Sequence, residues 1–533
     1  MHFADIKRAI HGIHCIFQFV SVNSCNSWTY KLTVMKKKIN RRTFLDQTST
    51  ASVGALAFHI VPSRVLGGWK HIPPSDKLNL AYIGCGTQGL REMCQLIQNP
   101  KLQINAVCDV NKFGTNYVDW SPNGIRDGIR KVLGDPAWGE NFKGIPGGRD
   151  IGKDVVDRYY NKVNSTSNNN CPSFEDFREL FEKQKDIDAV KIMTPDHLHG
   201  YISMAAMKKG KHVVIHKPIA NRMYEARKTI QTAKETGMST HLLAWAKFAG
   251  LEQINTWIQS GQIGTLKEIH NWSNRPVWPQ WTSNPTDTPP IPEGFNWNLW
   301  LGPVPDRPYH PNYTNNVFRG WYDFGGGSIA DMGHYSLWPL FLTIGIETAP
   351  LSAEATGTTT SMIDNQVCKV VQNDVAFPYS TSVKFKFPKQ SKLPAFDLFW
   401  YDGGIRPSTP EEMGDTNLER EGMLLKGDQG MIIAGFRGET PKLINKENKF
   451  NPAPLPRESS DRSNDYWIDA FKNKKESPGS FLLAGPVTET ILLGAVSMRA
   501  KKRLVYDSAN MKITNDEAAN KYFYREYRSG WEV

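Results

Sequence analysis

"KLNLAYIGCGTQGLREMCQLIQ", residues 77–98, decides the fold. Leu78–Ile83 is an apolar, β-branched-ended strand, and Leu90 onward repeats its apolar residues at helical spacing. Between them Gly84, Gly86 and Gly89 form G-x-G-x-x-G, with Thr87 and Gln88 inside the turn. The first glycine permits the tight turn, the second lets backbone approach a pyrophosphate, and the third packs helix on strand. The helix N-terminus then offers unpaired N–H groups to phosphate. A strand–turn–helix of this kind predicts a dinucleotide site.

Working outward, "INAVCDVN" (104–111) is a second strand that delivers Asp109, 20 residues beyond Gly89. A carboxylate there can accept hydrogen bonds from ribose hydroxyls and repels a 2′-phosphate, so NAD is favoured over NADP. Lys112 tempers that preference. Residues 112–170 break the alternation and carry no assignable role. It resumes with the helix "FEDFRELFEK" (174–183), the strand "DAVKIMTP" (188–195), the helix "HGYISMAAMKKG" (199–210) and the strand "HVVIH" (212–216). This is α/β, doubly wound order, in which ligands sit beyond the carboxyl ends of strands. Both "TPDHLH" (194–199) and His216-Lys217-Pro218 begin at such ends.

Charge excludes other classes. Residues 1–57 hold eight Lys/Arg and two Asp/Glu, a net of +6 out of the chain's formal +11. The remaining +5 is too dilute for a nucleic-acid surface. No apolar run reaches the roughly 18 residues of a membrane span. Around Met35, three lysines, Asn40-Arg41-Arg42-Thr43-Phe44-Leu45, an apolar stretch and Ala55-Leu56-Ala57 fit a twin-arginine export signal with its cleavage site. The expected location is therefore the periplasm. Residues 1–34 read as an upstream extension, and 35–72 as signal and linker. Cys85, Cys94, Cys108, Cys171 and Cys368 form no disulfide framework.

"AYIGCGTQG" (81–89), "AVCDVN" (106–111), "TPDHLHGYISMAAMKKGKHVVIHKP" (194–218) and "WYDFGGGSIADMGHYSLW" (321–338) together resemble the glucose–fructose oxidoreductase/inositol dehydrogenase (Gfo/Idh/MocA) superfamily, in an exported, Bacteroidetes-like branch. The resemblance implies an N-terminal Rossmann domain, placed at 73–220. A C-terminal α+β domain with a large open, mostly antiparallel sheet then occupies 221–533. It implies that Lys217 bonds the hydroxyl that loses hydride and that Pro218, often cis, shapes the turn. His216 departs from the family's usual glutamate and is either a bystander or a modifier of the lysine. The resemblance also sets Thr194, Asp196 and His199 beside the nicotinamide, with His216 and Lys217. Asp331 matches the family's acid/base motif. Its partner is Tyr335 by alignment at four residues, or His334 by intrinsic pKa at three; both offsets share a helix face with residue 331.

Six tryptophans (272, 278, 281, 297, 300, 321) lie among prolines and polar residues on loop-like segments. Arg275, Trp278, Gln280, Arg307 and Tyr309 are the expected sugar contacts. No zinc-ligand pattern occurs, and the chemistry needs no metal. The expected function is an NAD-dependent oxidoreductase of a sugar or glycoside ring hydroxyl, with tightly bound cofactor and a 3-keto product. Two rivals stand beside it. One is an NAD-dependent glycosidase that oxidises, eliminates, hydrates and reduces; the other is a non-catalytic sugar-binding protein. A homo-oligomer, dimer or tetramer, is expected from the family's open sheet.

Overall fold

The computed structural model describes residues 72–165, 169–279, 281–449 and 463–532. The export signal and Gln280 lie outside the described residues.

Strand β1 (Leu78–Ile83) runs through the glycine turn into α1 (Thr87–Leu96), and β2 (Leu102–Cys108) pairs parallel beside it. Helices α2 (Gly124–Leu133) and α3 (Arg149–Asn164) precede β3 (Ser173–Phe174), α4 (Phe177–Lys183) and β4 (Ala189–Ile192). Then come α5 (Asp196–Lys208), β5 (His212–Ile215), α6 (Met223–Thr236) and β6 (Thr240–Leu242). The strands form one parallel sheet in the order β3-β2-β1-β4-β5-β6. Every residue of β4 and β5 is buried, as helices on both faces require. The sheet continues past residue 220: Gly237, at φ +66°, ends α6 and returns the chain as β6 beside β5.

The second half holds α7 (Ala249–Gln259), β7 (Leu266–Trp272), the short α8 (Trp297–Leu301) and α9 (His334–Ile344). It continues with β8 (Ser352–Gly357), the hairpin β9 (Thr360–Asp364) and β10 (Val367–Val371), β11 (Thr381–Phe387) and β12 (Phe396–Tyr401). Strands β13 (Gly422–Gly427), β14 (Gly430–Ala434) and β15 (Lys442–Asn445) follow. Last come α10 (Asp465–Lys472), α11 (Gly485–Ala500), β16 (Leu504–Asp507) and β17 (Lys512–Ile513). Nine strands assemble in the order β15-β14-β13-β7-β12-β11-β8-β16-β17, antiparallel except where β7 meets β12. Here burial alternates. Val383, Phe385, Phe387, Phe396, Leu398 and Trp400 point inward, whereas Lys384, Lys386, Asp397, Phe399 and Tyr401 point out. Helix α11 seats on the inner face at Gly494, where a Cβ would lie 2.8 Å from the Phe385 ring.

The unassigned segment after β2 has a place. Gly114 pairs with Gly147 and Asn116 with Ile145, closing residues 112–148 into an excursion beside the glycine turn. Backbone bonds tie its base to the second half of the chain: Lys112 N donates to Gly294 O at 2.8 Å, and Asn296 N to Val110 O at 3.0 Å. Asn315 Nδ2 adds a bond to Asn116 O at 2.9 Å.

Candidate active site

The glycine turn is built as its sequence requires. Gly84 sits at φ +101°, and a Cβ there would lie 2.6 Å from the Met193 carbonyl carbon at the end of β4. A Cβ on Gly89 would overlap the Gly84 carbonyl oxygen, so helix and strand meet backbone to backbone. Asp109 braces the turn from the end of β2, accepting from Cys85 N at 2.6 Å and from Asn111 N at 2.8 Å. Burial raises the Asp109 pKa. A cleft of about 430 Å³ opens above, lined by Gly84, Gly86, Thr87, Gln88, Asp109 and Thr194 among others.

The excursion forms one wall of this cleft through Phe113, Tyr117, Asp119 and Trp120. Tyr117 covers Gly86, whose added Cβ would lie 3.2 Å from its ring, and its hydroxyl meets Asn111 Nδ2 at 3.0 Å. The Asp119 side chain is wholly buried; it pairs with Arg91 of α1 and accepts from Ile125 N at 2.8 Å. Sequence patterns carried no sign of this wall, because its register depends on glycines 114 and 147, which are far apart in the chain.

Beyond β4, Thr194 Oγ1 and both Asp196 carboxylate oxygens are buried without a hydrogen-bond partner among the described residues, as is Thr87 Oγ1. Burial raises the Asp196 pKa. Unpaired buried polar atoms are costly and ask for a polar ligand, and a nicotinamide carboxamide above Thr194 and Asp196 fits them. These residues and the glycine turn would hold NAD. His199 behaves differently from expectation. Its Nδ1 meets Pro218 O at 2.6 Å and its Nε2 meets Thr194 O at 2.8 Å. Both ring nitrogens are committed to backbone, so His199 ties the end of β4 to the turn after β5 instead of facing the cleft.

At the end of β5 the Lys217–Pro218 peptide is cis. Lys217 Nζ donates to Asp331 Oδ1 at 2.5 Å, and Arg319 Nε lies 3.2 Å from the same oxygen. Burial works against Asp331 ionising, but Lys217 and Arg319 outweigh it and hold the carboxyl down to about 2. Burial lowers the Lys217 pKa, with Asp331 opposing. One residue earlier, His216 Nε2 stands 2.7 Å from the Tyr335 hydroxyl. Burial, then Lys217 and Arg319, push His216 well below the usual histidine value, while burial and Asp331 raise Tyr335. Tyr335 therefore donates to a neutral imidazole.

A π-turn over Ile329–Gly333 immediately precedes α9 and sets this spacing. Asp331 reaches Lys217, and Tyr335 reaches His216. His334 is turned away: its ring is fully buried, Nδ1 meets Ala330 O at 3.1 Å and Nε2 has no partner among the described residues. Burial lowers its pKa to about 3. Between the two residues that the sequence left open, only Tyr335 contacts the 216–217 pair.

The expected sugar contacts separate. Arg275 lies near Asp331, its guanidinium 4.9 Å over Trp120. Trp278 is buried against Gly320, and Tyr309 is buried in the cofactor cleft wall. Arg307 is committed to Asp323 at 2.6 Å and stacks on Tyr313 and Phe324, away from the group around Asp331. Arg319 and Arg437 were not foreseen. Arg437 lies 5.2 Å from the Tyr335 ring, more than 200 residues after Lys217, so proximity in sequence could not suggest it.

Two family models match the chain. One, described as "Oxidoreductase family, NAD-binding Rossmann fold", covers residues 153–242, and the other, "Oxidoreductase family, C-terminal alpha/beta domain", covers residues 253–373. Over these residues the chain is similar to the Gfo/Idh/MocA oxidoreductase family. Levoglucosan dehydrogenase of Pseudarthrobacter phenanthrenivorans is 29% identical over 20% of this chain and 29% of its own. A glycosyl hydrolase family 109 protein of Solibacter usitatus is 27% identical over 37% of each chain. The matched segments thus span well under half of these relatives. The WlbA dehydrogenase of Bordetella pertussis, solved with NADH and UDP-GlcNAcA, is 15% identical over 81% of this chain and 99% of its own, with a TM-score of 0.46.

Proposed function

We propose that this protein is an NAD-dependent oxidoreductase that oxidises a ring hydroxyl of a sugar or glycoside, giving a 3-keto product. The supporting observation is the four-residue array His216–Tyr335 and Lys217–Asp331, set at the carboxyl end of β5 beside the glycine-turn cleft. Bound NAD supplies the hydride acceptor. The protein's own groups handle the proton. A substrate hydroxyl docked on Tyr335 passes its proton to the phenol oxygen as the phenol proton moves to His216 Nε2. Lys217 donates to the same substrate oxygen and stabilises the developing alkoxide. Asp331 keeps Lys217 charged despite burial. Because His216 is weakly basic, it does not trap the proton and can return it.

The wall formed by residues 113–120, locked by Asp119 and Arg91, supports a retained cofactor. Retention suits export by the twin-arginine route, which carries folded proteins to the periplasm. It suits equally a glycosidase cycle that regenerates NAD within each turnover, which is the second reading. The half-buried Phe399 and Tyr401 on the outer sheet face support a homo-oligomer.

Purified protein is tested first for nucleotide released on denaturation, by mass spectrometry, then with nitrophenyl glycosides and no added NAD. A lasting ketone with reduced nucleotide fits the oxidoreductase. Nitrophenol release without lasting ketone transfers the proposal to the glycosidase. No nucleotide and no effect of Lys217→Ala would leave a sugar-binding protein.

A further inference from the structure

Four cations surround the Asp331–Tyr335 pair, and among the described residues Asp331 is the one carboxylate ion-paired with any of them. Lys217 and Arg319 share Asp331 Oδ1, at 2.5 and 3.2 Å. Arg275 also acts on Asp331, and Arg437 with Arg319 on Tyr335. Among the described residues, neither Arg275 nor Arg437 has a carboxylate within ion-pair distance. Arg275 Nη1 reaches only Asn274 Oδ1, at 3.1 Å, and Arg437 offers its guanidinium to the Tyr335 ring.

Three neighbouring acids are committed elsewhere. Glu92 pairs with Lys191 at 3.1 Å, Asp119 pairs with Arg91, and Glu439 accepts from the Arg437 backbone N–H at 2.7 Å. Asp196 lies near enough to interact with Arg319 and Lys217 but, among the described residues, forms an ion pair with neither. Moreover, among the described residues, Nε of Arg437 is buried without a hydrogen-bond partner, and Nε of Arg319 meets only the ion-pair contact to Asp331. Arg319 keeps Asp331 as its counter-charge, whereas the part-buried Arg437 has none within ion-pair distance among the described residues, and a partly desolvated guanidinium favours one. The planar N–H forks of both arginines match a carboxylate far better than they match a hydroxyl.

We propose that the substrate is an acidic sugar, a hexuronic acid or its glycoside, whose carboxylate is held by Arg437 and Arg319 while a ring hydroxyl meets Tyr335 and Lys217. This rests on the oxidoreductase reading and names its substrate class. Asp331 and Tyr335 are the partly exposed members of the array, so the open side of the site is the side the arginines flank.

The test uses the full-length protein with its co-purified nucleotide. Nitrophenyl glycosides of both anomers are paired with the corresponding glycosiduronates, and 6-sulfated sugars form a third arm. Turnover is read as reduced-nicotinamide absorbance or nitrophenol release. The expected result is a kcat/KM for at least one glycosiduronate about 10- to 100-fold above its neutral partner, the range a charge-assisted hydrogen bond provides. Arg437→Gln should draw that ratio toward one, mainly through KM, and Arg437→Lys should restore part of it. Thermal unfolding and nucleotide content report folding of both variants. Neutral glycosides turned over as well as acidic ones overturn the inference and leave the oxidoreductase reading standing. A preference for the sulfated arm overturns the carboxylate, and an unmoved acid-to-neutral ratio in Arg437→Gln overturns the assignment to Arg437. Turnover of no member of any arm overturns the oxidoreductase reading and this inference together.

Discussion

His216 Nε2 and the Tyr335 hydroxyl stand 2.7 Å apart, joining the end of a Rossmann strand to the first turn of a helix in the second half of the chain. Tyr335→Phe should lower kcat by about 10²- to 10⁴-fold, the usual contribution of general acid–base catalysis, without loss of bound nucleotide. His216→Glu should retain nucleotide but place a titrating carboxylate against the phenol and shift the acid limb of kcat/KM. Steady-state pH profiles of the two variants check this. An unmoved profile in His216→Glu makes the histidine a bystander.

Asp331→Asn isolates the second pair. Burial lowers the Lys217 pKa and Asp331 resists that shift, so removing the anion lets the pKa fall further. The alkaline limb of kcat/KM should move down by about one to two pH units, since a close opposite charge shifts a pKa by that order. If the limb stays in place, Lys217 is not the group whose protonated form turnover requires.

The wall over the cofactor cleft depends on Asp119, whose buried side chain holds Arg91 and the Ile125 N–H. Removing Asp119 leaves the part-exposed Arg91 and the Ile125 N–H without their acceptor, at a cost of about 1–3 kcal/mol. Asp119→Ala should therefore speed nucleotide release by about tenfold. Retention through repeated desalting measures it, with thermal unfolding as the control for global damage. Equal retention would show that the wall does not hold the cofactor.

Acid should destabilise the fold through its histidines. Burial holds His197, His241 and His334 each at about 3. Unfolded, these side chains titrate near 6.5, so the unfolded chain binds protons that the native one refuses. Their full contribution is present above about pH 6.5 and is lost as pH falls toward 3, at about 1.4 kcal/mol per pH unit for each histidine. His334→Leu should flatten the slope of urea-unfolding free energy against pH by about one proton between pH values of roughly 5 and 6.5. An unchanged slope would mean His334 does not stay neutral in the native state.

Much of the first domain was legible because its rules are local. A strand, three glycines at fixed spacing and a helix constrain backbone within a few residues, and β1, α1, β2 and the strands ending at 192 and 215 follow that pattern. Lys217 and Asp331 were legible as a motif, each in its own stretch. Several features were not. Tyr335 and His334 shared a helix face on paper, and the π-turn over Ile329–Gly333 separated them by adding one residue to a turn. The excursion over the cleft, the commitment of His199 to two carbonyls and the approach of Arg437 to Tyr335 all arise between segments distant in sequence.

The sequence by itself therefore determined the glycine turn, the α/β order and the residue types delivered at each strand end, since steric and hydrophobic rules act along the chain. Only the tertiary structure decided which of those residues meet. Packing the nine-stranded sheet and α9 against the parallel sheet brings Tyr335 to His216 and Asp331 to Lys217, and sets Arg275 and Arg437 beside them with no ion-pair partner among the described residues. Electrostatic partnership depends on distances across the fold, which local sequence rules do not encode.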